Sequence, residues 1–345
     1  MGEGTAKTGA GLGRRDSRIC RARAGQIEGA SDPAGVVAAT VRSVLRNDAP
    51  DATSCFAHSL VAVDADFRPL TPILGWRDTR SAAAAEWLAR RLDAEEVHAR
   101  TGAFLHPSFW PAKLAWLAED EPEIFRRAEW FVSFADYLRG APETSLSMAS
   151  SSGLLDLATH EWDEELLATL GIERDRLPQI ADVPVWVDAA CSNVGAGCTT
   201  RDRAALNVGT SGALRVLYEP EERPRPKPEL FLYFADGTRL VEGGALSDGG
   251  NLYEWLERTL AHASGSPAER DPRDHGLVFL PFLGGERSTG WNPEARGTIH
   301  GLTFATTPLD IRQAAYEGVA FRFAAIADLL PEVREIEQRY IARES

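Results

Sequence analysis

Pro281-Phe282-Leu283-Gly284-Gly285-Glu286-Arg287-Ser288, running through Trp291-Asn292 to Arg296-Gly297-Thr298-Ile299-His300-Gly301-Leu302 and then Asp310-Ile311-Arg312-Gln313-Ala314-Ala315-Tyr316-Glu317-Gly318, is the stretch on which the fold turns. It follows Val278–Leu280, a short run with strand character, and it leads into a long helix expected from Leu309 to about Leu330. Upstream the same texture continues. Strands are expected at Ala204–Val208, Ala213–Tyr218, Leu230–Phe234 and Arg239–Glu242, and a helix at Leu252–Ala261, while the Pro-rich Glu219–Glu229 reads as a loop between strands.

Further toward the start, Ser54–Asp64 has strand character and ends at the polar turn Asp64-Ala65-Asp66, and Leu70–Trp76 is expected to pair with it. Asp78 and Thr79 stand where an N-cap belongs before an Ala-rich helix through Arg91, and Pro111 opens another helix. More helix is expected around Ala128–Leu138 and Asp163–Leu170, and Pro33–Asn47 has helical apolar spacing. Strands and helices interleave in both halves without a regular repeat, which predicts an α/β protein of two domains joined near residues 195–203. The length of 345 residues agrees with two domains, at about 100–200 residues each.

Composition removes several classes of function. With 44% hydrophobic residues the chain has the material for packed cores, and its formal net charge of -14 supplies no global field for phosphate backbones or anionic membranes. Neither a nucleic-acid nor a membrane partner is expected, since even the apolar Val319–Leu330 run carries Arg322 and Asp328. Cys20, Cys55, Cys191 and Cys198 form no C-x-x-C pair and read as reduced thiols of a cytoplasmic protein. Residues 1–30, Gly- and Arg-rich with almost no large apolar side chain, are expected to be disordered or degraded. The fragment Ala6-Lys7-Thr8 lacks the preceding glycine and strand of a phosphate-binding Walker loop.

Two further segments carry chemistry. Val187-Asp188-Ala189-Ala190-Cys191-Ser192-Asn193-Val194-Gly195-Ala196-Gly197 sets an acid before small residues, as a helix cap does and as a close ligand requires. Asn207-Val208-Gly209-Thr210-Ser211-Gly212-Ala213 is a strand–turn–strand text. It suits a plain hairpin, and equally a turn whose NH groups and hydroxyls cradle phosphate. The histidines form no metal-ligand spacing, and Gly209 to Ala213 lacks the final glycine of a hydrolase nucleophile elbow.

The order and spacing of the Pro281–Gly318 segments resemble the FGGY carbohydrate kinases, and Gly297 to Glu317 fits their C-terminal signature. Trp76-Arg77-Asp78-Thr79-Arg80, Pro111-Ala112-Lys113-Leu114-Ala115-Trp116-Leu117, Asp136-Tyr137-Leu138, and Gly243-Gly244 through Gly249-Gly250 to Trp255-Leu256 are similar to the same family. The resemblance spans roughly residues 33–330, and the wording is most like the gluconokinase branch, with pentulose (xylulose) kinases next. It implies an α/β fold of two ribonuclease-H-like domains of the actin, hexokinase and Hsp70 type with an interdomain cleft. The implied domains are a sugar-binding domain over 31–198 and an ATP-binding domain over 199–345.

The implied reaction is phosphorylation of a sugar or sugar-acid hydroxyl, gluconate first, with ATP and Mg2+. Asp188 matches the catalytic base. Gly209, Thr210 and Ser211 match a phosphate loop, Gly249 and Gly250 a close approach to ATP, and His58, Ser59, Asp78 and Arg80 the substrate contacts; no metal ligand is assigned. The ends depart from the family pattern. Gly2-Glu3-Gly4-Thr5 lacks the acid and strand of the first phosphate loop, and the chain stops at Ile336–Ser345 without the adenosine segment, so both domains are expected to be incomplete. The competing expectation is a catalytically impaired remnant that acts as a sugar-binding or protein-interaction module, with self-association of the shortened second domain.

Overall fold

The computed structural model describes residues 4–8, 18–22, 39, 52–222, 225–261, 265–267, 270–272 and 274–338. The expected helix Pro33–Asn47 lies outside them except at Ala39, as does Gly2-Glu3. Within 1–30, expected to be disordered, Gly4–Thr8 pairs antiparallel with Arg18–Ala22, a pairing that the sequence reading did not contain. The chain divides into two units. One holds residues up to Arg91 and Pro107–Asp188; the other holds Leu92–His106 and Ala189 onward.

In the first unit the run Ser54–Asp64 is not one strand. It breaks into Thr53–Cys55 and Val61–Val63 because His58, at φ 63°, takes a left-handed backbone that no strand accommodates. Thr53–Cys55 pairs parallel with Val185–Val187, and Val61–Val63 pairs antiparallel with Trp130–Val132. The expected partner Leu70–Trp76 supplies only the bridges Leu60 to Leu74 and Val63 to Pro69. Pro69 and Pro72 have no NH to give a ladder. The expected helix Ala128–Leu138 splits for a related reason. The apolar Trp130–Val132 enters the sheet, and the helix starts afresh at Phe134–Arg139 behind a capping box in which the Ser133 hydroxyl accepts from Asp136 N and Asp136 accepts from Ser133 N.

Asp78 and Thr79 do not cap the Ala-rich helix. Ala82–Ala89 begins at Ser81, whose side chain makes no capping bond. The helix Trp110–Asp120 carries Pro111 in its first turn as expected, and Glu164–Leu170 is capped by Asp163 through Leu166 N. Phe109, Leu114, Leu117, Phe131, Leu154 and Leu166 of this unit are each under 2% exposed.

The second unit is built on a five-stranded sheet ordered Phe231–Phe234, Leu240–Leu246, Gly212–Tyr218, Arg203–Val208, Glu335–Gln338. The first four run antiparallel, and Glu335–Gln338 lies parallel to Arg203–Val208. This last strand, after the long helix, was not among those expected. Gly212–Tyr218 and Leu240–Leu246 are buried at every residue, so both of their faces are covered. The long helix Pro308–Asp328 opens with a Thr307–Asp310 capping box and packs Ala314 and Ala315 against Leu252, Leu256, Leu277 and Phe279, with Ile311 and Val319 at the margin. A Cβ on Gly318 would sit 2.5 Å from the Phe279 carbonyl oxygen, so only glycine lets this helix lie directly on Val278–Leu280.

Leu92–His106 belongs to this unit although in sequence it interrupts the first. Leu232 N donates to Gly102 O at 2.9 Å, His98 Nε2 lies 2.8 Å from Leu230 O, and Phe104 stacks on Trp291 at 4.1 Å. The sequence reading placed this segment in the first domain and the boundary at 198/199.

Candidate active site

Parallel strands end where their next residues leave the sheet, and in α/β proteins that edge is where ligands bind. In the first unit Cys55 and Val187 are register partners, so Asp188 and the turn at His58–Ser59 leave the sheet from the same end. Asp188 is exposed as the first residue of the helix Asp188–Ala196, where the positive helix end favours a carboxylate. Its charge reaches the neighbouring strand. Burial, then the negative charges of Asp188 and Asp136, push the Cys55 thiol far above its ordinary range. Cys55 is therefore an inert core residue.

Asp136, fully buried, is itself pushed up to about 7 by burial, against the opposing hydrogen bonds from Ser133. It acts as a helix cap. His58 is 5% exposed, its Nδ1 lies 2.6 Å from the Ser151 carbonyl, and its ring meets Phe109 edge-on at 4.6 Å. A carbonyl only accepts, so Nδ1 carries a proton, and Nε2 is an acceptor whenever the ring is neutral. Ser59 lies deeper, 1% exposed. Its hydroxyl accepts from Phe134 N at 3.1 Å and its carbonyl from the Trp110 indole at 2.9 Å, which makes it a brace for the turn.

Asp78 and Arg80 are brought together. Arg80 Nε donates to Asp78 Oδ1 at 3.0 Å, Arg80 N to the same oxygen at 3.1 Å, and the guanidinium lies 4.6 Å from the Trp116 ring. Burial raises the Asp78 carboxyl, but the Arg80 hydrogen bonds and charge outweigh it and hold Asp78 below the usual carboxylate range. The pair is a partly exposed polar edge in which the Arg80 side chain keeps 48% of its surface.

In the second unit the Gly209–Ser211 turn joins Arg203–Val208 to Gly212–Tyr218, closed by Gly209 N donating to Ser211 O at 2.9 Å. Gly209 and Thr210 are exposed at its tip. The helix Gly250–Thr259 is docked onto the back of this turn. Gly250 N donates to Gly209 O at 2.6 Å and Asn251 N to Thr210 O at 3.1 Å. A Cβ on Gly249 would meet the Ser211 carbonyl carbon at 2.8 Å, and one on Gly250 the Gly209 oxygen at 2.7 Å. The close approach that these glycines permit is therefore to the turn itself. The Asn251 Oδ1 accepts from Gly249 N and Leu252 N, so the first-turn donors of this helix are shared between the turn and the helix's own Asn251 side chain.

Sequence reasoning missed two residues. Lys113, quoted only as part of a helix, is 1% exposed and donates to three backbone carbonyls, a role signalled by a lone charge inside an apolar helix. Asp248, which the sequence reading did not name, is 4% exposed, and burial pushes its carboxyl up to about 7. It lines a small cavity with Ser247, Glu286, Arg287, Ser288 and Arg322. Ser288 is bonded both ways to Ala245 at 2.9 Å, and Arg322 donates to Ser288 O at 2.7 Å, so the Gly-Glu-Arg-Ser text braces the sheet beside the turn.

Residues 51–187 match the model of the FGGY family of carbohydrate kinases, N-terminal domain, and residues 204–342 match that of its C-terminal domain. The chain belongs to the FGGY family of carbohydrate kinases. The gluconokinase of Bacillus subtilis (strain 168) is 30% identical over 80% of this chain and 62% of that protein, and the xylulose kinase of Escherichia coli (strain K12) is 29% identical over 79% and 63%. The crystal structure of a gluconate kinase from Lactobacillus acidophilus superposes with a TM-score of 0.76 at 27% identity, covering 90% of this chain and 73% of that one. This FGGY chain thus spans a little under two thirds of the length of the curated relatives it matches. Its two units have the actin and hexokinase type of fold that the resemblance implied.

Among the described residues no group of three or more His, Cys, Asp or Glu side chains is placed to cage a metal ion, and no helix is long and apolar enough to cross a membrane. Mg2+ does not need such a cage, since it commonly binds through one or two carboxylates together with substrate phosphates.

Proposed function

We propose that this FGGY chain phosphorylates a hydroxyl of a sugar or sugar acid, gluconate before xylulose, at the expense of ATP. The observation that carries the reading is the exposed Asp188 carboxylate at the carboxyl end of the parallel strand pair, level with the His58–Ser59 turn. Asp188 accepts the proton of the attacking hydroxyl as that oxygen bonds to the γ-phosphorus, and the bond from phosphorus to the β-phosphate oxygen breaks to release ADP. His58 Nε2 and the Asp78–Arg80 edge recognise the polyol and its carboxylate. The Gly209–Ser211 turn offers exposed backbone and the Thr210 and Ser211 hydroxyls to the phosphates, and Mg2+ bound to those phosphates disperses the charge that develops in transfer. Similarity to gluconokinases and xylulose kinases supports the choice of acceptor.

The test is ADP release by the purified chain with gluconate or xylulose, beside Asp188→Asn. Sugar-dependent release that the substitution abolishes supports the proposal. ATP left intact with both sugars overturns it.

A further inference from the structure

The 37 basic residues of this chain include only three lysines, Lys7, Lys113 and Lys227. Lys227 forms a surface ion pair with Glu332, whereas Lys113 stands between Ala112 and Leu114, both 0% exposed, in the first half of a helix. A chain that otherwise uses arginine keeps lysine where the acceptors call for it. Lys113 Nζ donates to His58 O, to Leu74 O at 3.1 Å and to Ser108 O at 2.8 Å. Three donors on one atom meet three carbonyls from three separate segments, a convergence that the planar fork of arginine does not make. An ammonium buried this deeply persists only because those oxygens solvate it.

The carbonyls belong to segments of the site. His58 is itself held at φ 63°, unusual for a residue with a Cβ, and Ser59 follows it. Leu74 leads into Trp76–Arg80, and the Ser108 hydroxyl donates to Trp76 O at 3.0 Å, tying the same two segments a second time. We propose that Lys113 is a positioning residue for sugar recognition: its ammonium holds the left-handed His58 turn against the Leu74–Asp78 segment and so fixes the spacing of the groups that bind the polyol. This rests on the kinase reading of the first unit only for the identity of the ligand; the clamp itself is a property of the chain.

Two readouts separate the clamp from the kinase reading. With only three lysines, 15N-lysine labelling gives a spectrum in which the clamped Lys113 ammonium should appear as a slowly exchanging Nζ resonance. In protein labelled at histidine, Lys113→Met should move the His58 Cα resonance away from its left-handed position, and propylammonium added to Lys113→Ala should return it. In turnover, Lys113→Met should raise the KM for gluconate by up to about 100-fold, the cost of misplacing a positioned group by about 1 Å, with the KM for ATP unchanged. An Lys113 ammonium exchanging as fast as that of Lys227, or a His58 resonance unmoved in Lys113→Met, overturns the clamp whatever the substrate. Equal rises in both KM values overturn the sugar-positioning role. Absence of turnover in the unsubstituted chain with both resonance results as expected would instead count against the kinase reading. The ammonium measurement needs no substitution and stands even where Lys113→Met fails to fold.

Discussion

At the strand ends of the first unit the backbone is tied down by a side chain, and at those of the second by other backbone. Lys113 gathers the carbonyls of His58, Leu74 and Ser108 onto one charge, while Gly250 N and Asn251 N reach Gly209 O and Thr210 O with no side chain intervening. The first arrangement keeps room for bulky side chains such as His58, at the cost of burying an ammonium. The second needs no side chain to hold the turn and leaves its tip exposed, which suits a ligand whose phosphates make the same contacts whatever the sugar. Specificity and generality thus call for different anchors, and each anchor predicts a different failure.

The largest effect should come from the exposed acid at the end of the parallel strand pair. Asp188 is exposed at the start of its helix, so Asp188→Asn, which keeps the shape of the side chain, should lower kcat by roughly 10²–10⁴-fold, the usual cost of a general base, with a melting temperature little changed, as for most exposed substitutions. Retained turnover would remove Asp188 from the mechanism. A falling melting temperature would turn the loss of activity into a folding effect.

The backbone anchor breaks next. In Gly250→Ala the new methyl collides with the Gly209 carbonyl, a backbone atom that cannot swing aside, and overpacking of this kind costs about 1–3 kcal/mol. Because the collision pushes on the turn, the KM for ATP should rise and that for sugar should not. Gly209→Ala is the control. Its nearest contact is Asn207 Oδ1 at 3.6 Å, an ordinary distance, so its stability should hold, and any loss of ATP affinity then comes from the ligand side of the turn.

How much of this was legible beforehand depends on whether the cause is local. Asp163 capping Glu164–Leu170, Thr307 and Asp310 opening the long helix, and the strands on either side of Gly209–Ser211 follow from residues within a turn of one another, and these elements were expected nearly in place. The break at His58 was not, because the force that holds a histidine left-handed comes from a lysine 55 residues away. Trp130–Val132 is an apolar run too short to tell strand from helix, although Ser133 three residues before Asp136 was a readable restart signal. The docking of Leu92–His106 on the second unit depends on Leu230, Leu232 and Trp291, which nothing near residue 98 announces. Of the site, the residues named by family wording were legible, but whether each faces ligand or braces a neighbour was not. Ser59, Gly249 and Gly250 each also hold a neighbouring segment, which no local wording announces.

Asp248 sharpens the contrast, since beside the backbone-anchored turn a buried carboxyl lacks the compensation that Lys113 enjoys. Burial alone raises it to about 7, above its unfolded value near 4, so the folded state binds the proton more tightly. Stability on this account is greatest below about pH 4, declines as pH rises toward 7, and changes little beyond. Glu286, Arg287 and Arg322 line the same cavity, and the two arginines do not offset the burial. Asp248→Asn should therefore raise the melting temperature by a few degrees at pH 8 and leave it unaltered at pH 4. A gain of equal size at both values would mean that the carboxyl is not the titrating group.

The smallest effect should come from the end of the second unit's long helix, where the anchor is again a side chain but an exposed one. Thr307 Oγ1 accepts from Asp310 N at 3.3 Å, and the Asp310 carboxylate accepts from Thr307 N at 2.7 Å and lies 2.7 Å from Arg270 Nη1. The Thr307 backbone bond first, with the Thr307 hydroxyl and Arg270 added, holds the Asp310 carboxyl down at about 2, below its unfolded value near 4. Its contribution is complete above about pH 4 and disappears as pH falls toward 2, the reverse of Asp248. Thr307→Ala should cost about 1 kcal/mol, the usual loss of a helix cap, which for a domain of this size is a fall of roughly 2–4 °C at pH 7. At pH 2 the difference from the unsubstituted chain should shrink, because the protonated Asp310 no longer answers the cap with a charged acceptor. If the loss stays constant down to pH 2, the cap works through the threonine hydroxyl alone, and the reciprocal bond from Asp310 adds nothing to the stability of the helix.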